Sequence, residues 1–126
     1  MNILKVFCEI FTKTFLPAIR AIIAEKLIEK YNLTQIEAAK KMGLTQAAIS
    51  HYLRSKRGAK AYNILKGNKE IEGYIDKLVD IIYSNGSSSL EIYQYVCKIC
   101  EWLRQRKDLV KEVASEKEEI LYPKTR

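Results

Sequence analysis

The chain is 126 residues long, with 48% apolar residues, 29% charged residues and a net charge of +7. That apolar content excludes a disordered chain and is enough for one domain with a core, or a small domain plus an appendage. No apolar run is long enough to span a bilayer, and Lys5, Glu9 and Lys13 interrupt the start as a signal peptide would not allow. Three cysteines, an odd number in a lysine-rich chain, fit a reducing compartment, so the expected location is the cytoplasm.

The charge is unevenly placed. From Lys30 to Lys66 the bases are Lys30, Lys40, Lys41, Arg54, Lys56, Arg57, Lys60 and Lys66, and the only acid is Glu37. That segment holds the whole surplus, because bases and acids balance elsewhere. Such concentration is the footprint of a polyanion-binding surface. Charge alone does not separate it from a solvated lysine-rich face, so the motif inside the segment has to decide.

With two prolines and five glycines, the chain is built for long regular segments, and its periodicity is helical rather than alternating. Residues 1–15 read as an amino-terminal helix or an extended arm, with Ile3, Phe7, Ile10 and Phe11 at helical spacing. A firmer helix starts near Pro17, a residue suited to the first helical position, and carries Ile19, Ile23, Leu27 and Tyr31 as a stripe. Thr34 opens a capping box with Glu37. The helix it starts should end at Gly43, and Thr45 caps the next one. Gly58 and Gly67 bracket a basic stretch that is either a loop or a short helix. Ile71, Ile75, Leu78 and Ile82 mark a further helix, stopped by Asn85-Gly86. Ser88 and Glu91 form a second capping box, opening a helix with Ile92, Val96, Ile99 and Leu103. Beyond Arg104, Leu109, Val110, Val113 and Ile120 suit a last helix within a charged stretch that includes Glu118-Glu119.

Residues Thr34 to Arg54 carry the chemistry. Two short helices meeting at a steep angle need small residues at their contact and a tight turn between them. Ala38 and Ala39 supply the contact, Gly43 supplies a turn position free to take positive φ, and Leu44 fills the space beneath. Ile36, Met42 and Ile49 are expected to wedge the pair together. On the second helix, Ala48, Ile49, Tyr52 and Leu53 lie on one side, and Gln46, Ala47, Ser50, His51 and Arg54 on the other. The outer side has no large apolar group and no acid. Gln can bond adenine bidentately, Ser either base type or phosphate, Ala a thymine methyl, and Arg guanine or phosphate.

The run from Leu33 to Leu53, LTQIEAAKKMGLTQAAISHYL, resembles the helix-turn-helix of the phage-repressor-like (XRE) family. The wider stretch from Leu16 to Gly58 is similar to archaeal predicted regulators within it, some of which carry an added ligand-binding domain that a chain of this length has no room for. The resemblance implies an all-α fold, with a lambda-repressor-like helix-turn-helix domain over residues 16–66. A small helical oligomerisation or packing region over residues 67–126 would serve a homodimer. The partner it implies is double-stranded DNA, read by Thr45, Gln46, Ala47, Ser50 and His51. Gln35, which would also brace Gln46, and Arg54 would meet phosphate, joined by Lys56, Arg57 and Lys60 of the basic cluster. The implied role is transcriptional regulation by occupying an operator, in response to an effector that the sequence does not name.

The cysteines carry the alternative reading. Cys97 and Cys100 stand one helical turn apart and could converge on a metal or a redox partner with Cys8, making the protein a sensor. Structural zinc and iron–sulfur sites usually take four ligands, and one chain offers three cysteines. Val96, Ile99 and Leu103 beside them favour buried, inert thiols, and no cofactor is expected. An adaptor of the transcription machinery is a further alternative, without the zinc ribbon that an archaeal coactivator would bring. With one histidine, no phosphate-binding glycine loop and no activated nucleophile, the chain is not expected to be an enzyme.

Overall fold

The computed structural model describes residues 7–56, 59–86 and 90–113. Ile3, Arg57, Gly58, the Ser88 capping position, Glu118-Glu119 and Ile120 lie outside the described residues. Among the described residues every regular element is helical: α1 (Phe7–Ile10), a π-helical turn (Phe11–Phe15), α2 (Leu16–Tyr31), α3 (Gln35–Met42), α4 (Gln46–Ser55), α5 (Lys60–Lys66), α6 (Lys69–Asn85) and α7 (Glu91–Gln105). Residues 107–113 continue as a further helical stretch.

Residues 7–31 form one unbroken helical run, and Pro17 explains the π-turn inside it. A proline donates no N–H, and its ring crowds the carbonyl four residues back. The helix accommodates it by widening one turn just upstream, where the Leu16 N–H donates to the Phe11 carbonyl. Of the two expectations for this stretch, helix or extended arm, the described part is helix.

α2 is the central helix. Its buried residues, Ala18, Ile19, Ala21, Ile22, Ile23, Ala24 and Leu27, surround the axis rather than forming one stripe, as expected of a helix covered on all sides. It packs against α3, α4, α5 and α6. The stripe Ile71, Ile75, Leu78 and Ile82 of α6 closes one flank of the core, Ile99 and Leu103 of α7 join it, and Val110 and Val113 follow. The apolar stripes after Gly67, expected to pack within the chain or against a second copy, are largely covered within the chain, with Ile92 and Val96 of α7 half-buried.

The α3–α4 unit forms from local signals. Thr34 Oγ1 accepts from the Glu37 N–H at 3.1 Å, and Glu37 Oε1 accepts from the Thr34 N–H at 2.9 Å. Gly43 ends α3 at φ 71°. Its N–H donates to the Lys40 carbonyl at 3.2 Å and that of Leu44 to Ala39 at 2.9 Å, so the left-handed glycine satisfies the free carbonyls of the last turn. Thr45 then caps α4, accepting from the Ala48 N–H at 3.1 Å. Ala38, Ala39, Met42 and Ile49 are buried at the junction. Ile36 is not the wedge it was expected to be. With Ala38, Ala39 and Met42 facing inward, the helical repeat turns Ile36 outward, and it is 58% exposed.

Candidate nucleic-acid interface

α4 has the two faces its sequence indicates. Ile49 is fully buried, and Ala48, Tyr52 and Leu53 are half-buried. Outward stand Gln46, Ala47, His51 and Arg54, all exposed, with Ser50 half-buried among them and Thr45 exposed at the cap. Two contacts order this surface. Gln46 Nε2 donates to Gln35 Oε1 at 3.3 Å, bridging the first residues of α4 and α3. Arg54 Nη1 donates to Ser50 Oγ at 2.5 Å, holding the guanidinium along the helix. Lys60, at the start of α5, is exposed.

Lys56 departs from its expected place among the outward bases. It is half-buried and bonded to the Glu25 carboxylate of α2. Tyr62 of α5 donates to the same carboxylate at 2.8 Å, and the Lys66 ammonium lies 3.8 Å from it. Burial works to raise the Glu25 pKa, but the hydrogen bonds from Lys56 and Tyr62 and the nearby lysine charges win, holding it below the usual carboxylate value. Burial and the bond to Glu25 push Tyr62 up to about 12. The sequence holds only a faint trace of this site: Glu25 directly follows the apolar run Ala21-Ile22-Ile23-Ala24 of α2. Its partners, 31 and 37 residues further on, have no local signature.

Two more ties hold α4 and α3 to the scaffold. Arg20 of α2 donates to Tyr52 Oη at 3.1 Å, its guanidinium 5.9 Å from the ring centroid. At the other end, Tyr31 stacks on Tyr83 with centroids 3.8 Å apart. Lys41 of α3 donates to the Tyr83 carbonyl at 2.8 Å. Asp80 accepts from Tyr31 at 2.5 Å and from Lys30 at 2.9 Å, and these bonds lower its pKa. α6 is thereby clamped to α3 through its last turns.

The cysteines need a correction. Cys97 is exposed rather than buried, as is Cys8, and Cys100 is half-buried. One residue beyond Val96, Cys97 is rotated off the inward face that Ile99 and Leu103 define. Burial raises the Cys100 pKa, against the lowering effect of the Arg104 hydrogen bond, so its reactive thiolate is scarce at neutral pH. Among the described residues, no three His, Cys, Asp or Glu side chains are grouped to hold a metal ion. No described helix is long and apolar enough to cross a membrane.

With this geometry in view, the comparison with protein families gives one result: residues 23–66 match the helix-turn-helix family model. The matched span begins within α2, contains α3, the Gly43 turn and α4, and ends with α5. No curated protein and no solved structure gives a match. The chain thus carries a helix-turn-helix of the phage-repressor-like (XRE) type. The match supports a DNA-binding transcription regulator of that type.

Proposed function

We propose that the protein represses transcription by laying α4 in the major groove of double-stranded DNA and occupying an operator. The observation that carries this reading is the outer face of α4. Gln46, Ala47, Ser50 and His51 offer donors, acceptors and a methyl group along one exposed line, with no acid to repel phosphate and Gln46 braced by Gln35. Thr45 belongs to the same line at its cap. Gln35, Arg54 and Lys60 flank it, where the sugar–phosphate walls of a groove would run, with Arg57 as a further phosphate contact from the sequence. Phosphate contacts supply affinity and register, and base-edge contacts supply choice.

The reader would act in pairs. One helix-turn-helix spans few base pairs, and two copies gain specificity on half-sites about one helical turn apart. The start of α7 offers apolar surface for this, since Leu90 just before the helix and Tyr93 on its first turn are 78% and 65% exposed. Repression follows if the bound pair blocks access to the promoter. Methylation interference on a bound site tests the groove: the reading requires methyl groups at guanine N7, in the major groove, to block binding. Interference confined to adenine N3, in the minor groove, would refute it.

A further inference from the structure

One carboxylate behind α4 gathers the groups that follow it. Glu25 is a half-buried acid on α2, with only 15% of its side chain exposed. Two donors converge on it, Lys56 at the carboxyl end of α4 and Tyr62 on α5, with Lys66 3.8 Å away. Burying a carboxylate costs several kcal/mol unless partners compensate, and an apolar group of similar size would often stabilise as well. Among the described residues, Ala59 before α5 provides no side-chain cap, and its N–H donates to the Lys56 carbonyl at 3.2 Å.

We propose that Glu25 is a positioning residue for DNA binding: by holding Lys56 and Tyr62 together it fixes the end of α4 against the start of α5. Lys60 and the outer face of α4 then stand in one frame that a phosphate backbone meets without rearrangement. The proposal rests on the DNA-reading role of α4 and adds a residue that never touches DNA. It also divides the basic cluster in two. Lys60 faces outward and neutralises phosphate, whereas Lys56 is already neutralised inside the protein and acts through Glu25. Further ties from Lys66 to Glu72 at 3.8 Å, and from Lys26 to Asp76 at 2.9 Å, carry the same network to α6.

The two kinds of lysine differ in a measurable way. Losing a phosphate contact lowers counterion release, and with it the dependence of binding on salt. Losing a positioning contact leaves the bound contacts intact but makes DNA binding bear the cost of ordering the joint. The experiment measures the affinity of the full chain for a selected DNA site across a salt series, for the parent and for Glu25→Gln, Lys56→Met, their double variant and Lys60→Ala.

Glu25→Gln and Lys56→Met should each weaken binding roughly tenfold, the scale of one charge-assisted hydrogen bond, with the parent's salt slope. The double variant should lose no more than the worse single variant, since the two residues act as a unit. Lys60→Ala should lower the slope by about 0.9, one phosphate's worth of counterions. Parent-like affinity in Glu25→Gln, additive losses in the double variant, or a slope lowered in Lys56→Met would each overturn the proposal. If Glu25→Gln is poorly folded, Lys56→Met carries the same test from the more exposed partner. Gln46→Ala, run alongside, separates this claim from the reading it rests on. An unchanged base preference in Gln46→Ala with the expected Glu25 behaviour would refute the register of α4 and leave the positioning role standing.

Discussion

Gly43 turns the chain between α3 and α4 at φ 71°, a conformation that costs an L-residue with a Cβ about 1–2 kcal/mol. Gly43→Ala should therefore destabilise by that amount in urea unfolding; an unchanged midpoint would mean that the turn takes another conformation in solution. Cys97 makes the opposite case. Because it is exposed, Cys97→Ser should change stability by less than about 0.5 kcal/mol, where a buried thiol would have been costly to replace by a hydroxyl. A loss above about 1 kcal/mol in the same measurement would put Cys97 back in the core. The contrast shows what the sequence offered at this scale. Thr34, Glu37, Gly43 and Thr45 act on neighbours within a few residues, so their roles were legible. Cys97 was read from the apolar company of Val96 and Ile99, when its place in the helical repeat, one step past Val96, already turned it outward.

At the scale of elements, local signals set where helices begin and end, and distant partners set what they carry. The caps and stripes of α3, α4 and α6 follow from spacing, whereas the bond from Lys56 to Glu25 depends on how α4 crosses α2, and no local pattern encodes a crossing. The same holds for α2, whose burial on several sides became visible only with α6 in place. The Glu25 cluster also contributes to the pH dependence of the fold. Its folded pKa lies below the ordinary 4.5, so its contribution is complete above that value and is lost as pH falls through the lower, folded one. Tyr62 is raised from 10.0 to about 12, so its contribution is complete below pH 10 and is lost as pH rises through 12. The melting temperature should hold a plateau between these limits and fall at both ends. Glu25→Gln should shallow the acid-side fall, and an acid limb identical to the parent's would show that Glu25 is not among the groups responsible.

For the whole molecule, the question is how one packed chain becomes a selective DNA binder. α6 and α7 share the core of α2, so the helices after Gly67 support the reading unit as well as offering a surface of their own. Leu90 and Tyr93 stand out on that surface, and light scattering at micromolar concentration should find a dimer that Tyr93→Glu converts to monomer. A parent that stays monomeric with and without DNA would remove the paired-reader arrangement. The proposed reading also requires charge and choice to separate, with the basic surface setting the affinity for any duplex and the outer face of α4 the preference among duplexes. The most direct test is selection of bound sites from random DNA with the parent and with Gln46→Ala. The parent should enrich a defined sequence, and the variant should lose roughly 1–3 kcal/mol of discrimination at a single base pair in each half-site while keeping its preference elsewhere. Enrichment of the same sequence with the same preference at every position would contradict the assignment of α4 as the element that reads DNA in this register.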